Sequence, residues 1–132
     1  MLDTSITMAW CFEDETDGQS EAILDRLTRD HAVVPSLWRF EVSNVLVVGE
    51  RRGRLTESQA VRFLALLRRL PIRIDDTPPD AGALLEVAHR HKLSAYDAAY
   101  LELARRDELG VATRDTRLRS ATLAAGLAVM IS

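Results

Sequence analysis

Short apolar runs alternate along the chain with longer stretches whose apolar residues recur at helical spacing. The short runs predict strands, and the longer stretches predict helices. The strand candidates are Met1-Leu2, Ala32-Val33-Val34, Ile72-Arg73-Ile74, Val111-Ala112-Thr113 and Leu127 to Ile131. This alternation predicts an α/β fold in which helices cover a central, mostly parallel sheet of about five short strands.

Polar residues that cap helix N-termini predict where the helices begin. Ser36 precedes an apolar stretch, and Thr56 with Gln59 has the spacing of a capping box. Gly53 separates these two stretches and predicts a helical hairpin. The predicted helices are Ser36 to Arg52, Thr56 to Arg69, Ala81 to His91, Ser94 to about Asp107 and Arg117 to Ala125.

The first of these helices is apolar over more than one face. Its apolar residues are Leu37, Trp38, Phe40, Val42, Val45, Leu46, Val47 and Val48. A helix that is apolar nearly all round is buried on several sides. In a chain of 132 residues, this pattern predicts a second chain against the helix, and we expect a homodimer.

The composition is that of one globular domain over residues 1–132, with 47% hydrophobic and 28% charged residues. No apolar run approaches the roughly 20 residues of a membrane span, and no basic leader precedes Asp3. The single cysteine, Cys11, lies between two aromatic residues and is expected to be a buried thiol. These features predict a cytoplasmic protein.

The net charge of −3 argues against a protein that binds nucleic acid indiscriminately through a basic surface. All but one of the 17 basic residues are arginines, whose planar guanidinium matches phosphate oxygens. A genome rich in arginine codons explains this bias equally well. Arg51, Arg52 and Arg54, near the predicted hairpin turn, are candidate RNA-binding residues or a solvated face.

Four carboxylates fall where a parallel sheet builds its binding site. They are Asp3 and Asp115, after strand candidates, and Glu41 and Asp97, in the opening turns of helices. Ligands bind beyond the carboxyl ends of the strands in such folds, so we expect the four to converge. Carboxylate oxygens are ligands of Mg²⁺ and Mn²⁺. An ion held there would activate water for attack on phosphate.

Three of these acids have a structural alternative. Asp3 and Asp115 have the position of helix N-caps, and Ser94 with Asp97 has capping-box spacing. Capping and metal binding are compatible, so both interpretations stay open. Thr113 is placed to add a hydroxyl to the same pocket.

Glu41 is the acid that capping does not explain. It lies beyond the first turn, among apolar neighbours, where an unpartnered carboxylate is costly to bury. The alternative is a salt bridge, with Arg39 as one partner. Asn44, three residues further along the same face, is expected to orient Glu41 or a metal-bound water.

The segments around the four acids resemble the motifs of PIN-domain ribonucleases, and most closely those of VapC toxins from bacterial toxin–antitoxin pairs. These segments are Leu2-Asp3-Thr4-Ser5, Glu41-Val42-Ser43-Asn44, Ser94-Ala95-Tyr96-Asp97-Ala98-Ala99-Tyr100 and Thr113-Arg114-Asp115. The resemblance implies a PIN-like α/β/α sandwich and an endoribonuclease that depends on Mg²⁺ or Mn²⁺. It also implies a homodimer and a cognate VapB-like antitoxin that blocks the site.

The resemblance assigns roles residue by residue. The catalytic and metal-binding set is Asp3, Glu41, Asp97 and Asp115, and the supporting polar residues are Ser5, Asn44 and Thr113. The chain departs from the family pattern at its start, where only Met1 and Leu2 precede the first aspartate. The first strand is therefore expected to be short.

Two other functional classes remain open. One is a non-catalytic binding module with the same fold, in which the acids only cap helices. The other is a receiver-like phosphoacceptor domain, which requires a lysine after a late strand. The only lysine, Lys92, precedes a predicted helix instead.

Overall fold

The computed structural model describes residues 1–130, with the backbone alone for Glu13. The chain has an α/β fold, as the alternating pattern predicted. Its elements in order are α1 (Thr4–Ala9), a 3₁₀ turn (Glu13–Glu15), α2 (Gly18–Arg26), β1 (Ala32–Pro35), α3 (Leu37–Arg51), α4 (Glu57–Leu67), β2 (Ile72–Asp75), α5 (Ala81–His91), α6 (Ala95–Arg106) and α7 (Thr116–Ala124).

The sheet is smaller than predicted. β1 and β2 pair in parallel, with Ala32 opposite Ile72 and Pro35 opposite Asp75. Within residues 1–130 these are the only two strands, so the prediction of about five strands is wrong.

The other predicted strands form isolated parallel bridges instead. Leu2 bridges Ala112, and Val111 bridges Val129. The chain turns into α1 or into a loop close to these residues, so a ladder has no room to extend. Ile131, at the end of the fifth candidate, lies outside the described residues.

Backbone hydrogen bonds place the first segment between β1 and the segment around Ala112. The amide of Leu2 donates to the carbonyl of Val33 over 3.1 Å, and that of Asp3 donates to Ala112 over 3.0 Å. The side chain of Leu2 is fully buried in the core. Asp3 and Thr113 consequently follow neighbouring parallel segments and lie side by side.

The five predicted helices are present as α3 to α7, and α5 has the predicted bounds. The capping box of Thr56 and Gln59 is confirmed, because each side chain accepts a hydrogen bond from the other residue's amide. Gly53, between α3 and α4, has φ of +72°, a left-handed conformation that glycine adopts without steric cost. Helix α2 was not predicted, and it begins with a capping box of Asp17 and Ser20.

Helix α3 is not buried on several sides within one chain. Trp38, Val42 and Leu46 are buried in the core. Phe40 and Val47 are 69% and 40% exposed on the same helix. The chain by itself therefore leaves part of the apolar surface of α3 open to solvent.

The structure bears on the predictions for the single cysteine and for a membrane span. Cys11 is only partly buried, and burial together with the charge of Glu15 raises the pKa of its thiol. No helix in the described part of the chain is long and apolar enough to span a membrane.

Candidate active site

Asp3 is held by hydroxyl groups and does not cap α1 with its side chain. The residue is only 6% exposed. Its Oδ2 accepts hydrogen bonds from Ser5 Oγ over 2.8 Å and from Thr113 Oγ1 over 2.7 Å. The amides of Arg114 and Asp115 donate to these two hydroxyl oxygens and so direct both hydroxyl protons towards Asp3.

Glu41 lies in the second turn of α3 and accepts two hydrogen bonds at one oxygen. Thr4 Oγ1 donates to Oε1 over 3.0 Å, and Tyr100 OH donates to the same oxygen over 2.5 Å. Burial, reinforced by the hydrogen bond to Glu41, raises the pKa of Tyr100, so the phenol keeps its proton. Arg39 pairs with Asp76 instead, over 3.0 Å, so the alternative of an Arg39–Glu41 salt bridge is wrong.

Asp97 is half-buried in the first turn of α6, where its amide donates to Ser94 Oγ over 3.1 Å. Burial raises the pKa of the Asp97 carboxyl, and the negative charges of the other three acids raise it further. Those charges belong, in decreasing order of effect, to Asp115, Asp3 and Glu41. The fold therefore brings all four carboxylates into one electrostatic neighbourhood.

Asp115 is an N-cap, as its alternative interpretation predicted. Its Oδ1 accepts a hydrogen bond from the amide of Leu118 over 2.8 Å at the start of α7. The residue is exposed, and it still contributes the largest of the charge effects on Asp97. Capping and a place in the acidic group are thus combined in one side chain.

These four carboxylates are together named the acidic pocket. In the described part of the chain, no basic side chain pairs with any of them; Arg39 pairs with Asp76 and Arg114 with Asp17. Like charges in one pocket repel, and the N-termini of α6 and α7 offset that repulsion only in part. An all-oxygen donor set with uncompensated charge fits a hard divalent cation such as Mg²⁺ or Mn²⁺.

The acidic pocket is not a preformed ion cage. Among the side chains that the structure describes, no three of the types Asp, Glu, His and Cys are grouped closely enough to hold a metal ion. The other acids affect the pKa of Asp97 through charge, which acts over longer distances than metal coordination. That effect is therefore compatible with the absence of a preformed ion cage. Binding an ion would require side-chain rotation, which is easiest for Asp115 because it is the most exposed of the four acids.

The expected contact of Asn44 with Glu41 is absent from the described residues, and its role towards a metal-bound water stays a prediction. Asn44 is exposed on α3 and lines a surface pocket with Phe12 and Val48. Within residues 1–130 no hydrogen bond joins it to Glu41, whose Oε1 is already bound by Thr4 and Tyr100.

The three candidate RNA-binding arginines differ from one another. Arg54 stacks 4.0 Å from the centroid of the Phe12 ring and pairs with Asp14 over 2.8 Å. Its guanidinium therefore links the 3₁₀ turn to the loop between α3 and α4. Arg51 and Arg52 are exposed, and in the described part of the chain neither forms a salt bridge.

Sequence reasoning missed Thr4 and Tyr100. A signal was present for each, because Thr4 adjoins Asp3 and Tyr100 follows Asp97 by three residues on one helix face. Neither signal indicates that both hydroxyls contact Glu41 on α3.

The chain is similar to known proteins in sequence and in fold. The profile of the PIN domain family matches residues 1–122. The crystal structure of PAE2754 from Pyrobaculum aerophilum is similar, with a TM-score of 0.71 and 24% sequence identity. The similarity covers 91% of this chain and 82% of that one, and at this identity it supports the fold. No curated protein matches the chain.

Proposed function

The chain belongs to the PIN domain family, and on that premise we propose that it is a metal-dependent endoribonuclease. PIN domains are typically metal-dependent nucleases. The further proposal is that the chain is a single PIN-like domain of α/β/α architecture. It would act in the cytoplasm as the toxin of a VapBC-like toxin–antitoxin pair.

The acidic pocket carries this proposal. Its carboxylates are Asp3, Glu41, Asp97 and Asp115, and the first two are fixed by neighbouring hydroxyls. A group of acids that only capped helices would not include Glu41, which lies beyond the first turn of α3. Burial raises the pKa of Asp97, and the charges of the other three acids raise it further; a divalent cation would relieve that crowding of charge.

In the proposed mechanism the four acids would hold Mg²⁺ or Mn²⁺. The chemistry that such a cation would supply is a lower pKa for a bound water and neutralisation of charge on a phosphate oxygen. Ser5 and Thr113 orient Asp3, because both donate to its Oδ2. Arg51 and Arg52 are placed on an exposed helix end where they would bind RNA phosphates.

The first test is cleavage of total bacterial RNA by purified protein, with sequencing of the new RNA ends. We expect cleavage with Mg²⁺ or Mn²⁺ and none after chelation by EDTA. Asp97→Asn should abolish cleavage and retain the fold. The matched control is Asp25→Asn, which removes an exposed carboxylate that pairs with Arg29 over 3.3 Å.

Asp25→Asn should cleave at the parent rate. Equal rates for the parent and Asp97→Asn would contradict the proposed catalytic set. Cleavage that persists in EDTA would contradict the dependence on a metal ion.

The toxin role requires a second experiment. Induced expression of the parent chain in a bacterial host should stop growth, and Asp97→Asn should not. Co-expression of an adjacent VapB-like gene should restore growth by blocking the site. Normal growth of the cells that express active parent protein would argue for a nuclease without a toxin role.

We also propose a homodimer that uses the exposed apolar surface of α3. Phe40 and Val47 lie two turns apart on one face of that helix. Phe40→Glu should shift the chain from dimer to monomer in light scattering after gel filtration. Leu85→Glu, at a 57% exposed residue of α5, is the control and should leave the dimer intact. A monomeric parent at tens of micromolar protein would contradict this proposal.

A non-catalytic binding module is the second candidate. Two observations favour it: the acids do not form a preformed ion cage in the described part of the chain, and Asp115 is a true N-cap. Titration calorimetry separates the two functions. Heat of binding from Mn²⁺ that disappears in Asp97→Asn supports the nuclease, and no binding at millimolar Mg²⁺ or Mn²⁺ supports the binding module.

A further inference from the structure

Tyr100 joins three helices at one carboxylate. The residue is fully buried in α6, and its hydroxyl lies 2.5 Å from Glu41 Oε1 on α3. Thr4 Oγ1, at the start of α1, lies 2.7 Å from the Tyr100 hydroxyl and 3.0 Å from the same Glu41 oxygen. Two hydroxyls and one carboxylate oxygen therefore form a closed triangle of polar contacts.

The number of hydroxyl protons in this triangle determines which group donates each hydrogen bond. Tyr100 and Thr4 each have one hydroxyl proton to donate, and Glu41 Oε1 accepts. Tyr100 makes the shortest contact and donates to Oε1. Thr4 then donates either to Oε1 or to the Tyr100 oxygen. In both arrangements Oε1 is held, and in the described part of the chain Oε2 has no hydrogen-bond partner.

Tyr100 also lies one turn after Asp97 on the same face of α6. The charge of Glu41 acts on Asp97. One rigid helix thus carries an acid of the pocket and the hydroxyl that holds a second acid in place.

We propose that Tyr100, assisted by Thr4, is a positioning residue that fixes Glu41 by Oε1 and leaves Oε2 for a divalent cation. This inference rests on the proposed function. Removing the Tyr100 hydroxyl frees Glu41 to rotate while the aromatic ring continues to fill the core. Substitution of a residue that supports a metal ligand in this way commonly lowers ion affinity or activity by about 10- to 100-fold.

The test compares Tyr100→Phe with a structural control, Trp38→Phe. Trp38 Nε1 donates a buried hydrogen bond to Thr7 Oγ1 over 3.0 Å, and this bond also joins α3 to α1 without touching Glu41. Tyr100→Phe loses the two polar contacts of its hydroxyl and Trp38→Phe loses one buried hydrogen bond, so both should lose thermal stability. Only Tyr100→Phe should weaken Mn²⁺ binding in calorimetry, by about 10-fold or more, and raise the Mg²⁺ concentration for half-maximal cleavage.

Two further variants refine the result. Thr4→Val should weaken Mn²⁺ binding less than Tyr100→Phe does, and Thr4→Ser, which keeps the hydroxyl, should restore it. Unchanged Mn²⁺ affinity in a folded Tyr100→Phe protein overturns the positioning role while the nuclease proposal stands. A parent protein that neither binds Mn²⁺ nor cleaves RNA overturns the proposed function, and the positioning role with it.

Discussion

Asp115 gives the sharpest test of the site because it combines a structural and a proposed catalytic role. Its Oδ1 caps α7 through the amide of Leu118 over 2.8 Å. Asparagine caps a helix about as well as aspartate, whereas alanine does not, at a cost of ~1 kcal/mol. For a chain of 132 residues, this loss lowers Tm by ~4 °C.

Asp115→Asn should therefore melt close to the parent, and Asp115→Ala should melt ~4 °C lower. Both should lose cleavage by more than ~100-fold, because a metal ligand should matter more than a residue that only supports one. Calorimetric melting and cleavage of total RNA with Mg²⁺ measure the two effects separately.

Asp80 supplies the matched control. Its Oδ2 caps α5 by accepting from the amide of Ala83 over 2.9 Å, at the same position relative to the helix start. Asp80→Ala should lose about the same ~4 °C and keep full cleavage. If Asp115→Asn cleaves as fast as the parent, Asp115 is only a cap and the assignment of four acids to the site is refuted.

Three further predictions follow from local contacts. Since the folded-state pKa of Asp97 is raised, its ionisation costs stability as pH rises above about 4; Asp97→Asn should raise the metal-free Tm at pH 7, with a gain that vanishes at pH 3. Arg54→Ala should lower the free energy of unfolding in urea by about 0.5–1 kcal/mol, because the stack on Phe12 counts for more than the exposed pair with Asp14. Cys11, whose thiol pKa is raised, should react with iodoacetamide at pH 7 more slowly than the same cysteine in unfolded protein.

The helices were predictable because local signals decide their ends. Thr56 with Gln59 specifies the start of α4, and Gly53 specifies the break before it. Helix α2 escaped prediction because only Ser20 and Ile23 of it are buried, which leaves no clear apolar stripe. The strand count failed because an apolar run such as Met1-Leu2 has the composition of a strand, while its length in the sheet depends on where the chain turns away.

Sequence motifs pointed to the four acids and to Ser5 and Thr113, which hold Asp3, but not to Thr4 and Tyr100, which hold Glu41. Placement after a strand or near a helix start located Asp3 and Asp97. The contacts that hold Glu41 join residues 37 and 59 positions apart in the chain. No local periodicity reports such a contact, so the roles of Thr4 and Tyr100 emerge only from the fold.

One feature of the acidic pocket bears on the size of the ion it selects. Three of its carboxylates have one oxygen committed to hydrogen bonds: Asp3 Oδ2, Glu41 Oε1 and Asp115 Oδ1. An ion in this pocket would receive a single oxygen from each, with water completing its coordination sphere. Monodentate carboxylates and retained water suit the small octahedral sphere of Mg²⁺, whereas Ca²⁺ prefers more ligands and bidentate carboxylates. We therefore expect that a divalent cation bound by these hydrogen-bonded acids would be Mg²⁺ rather than Ca²⁺.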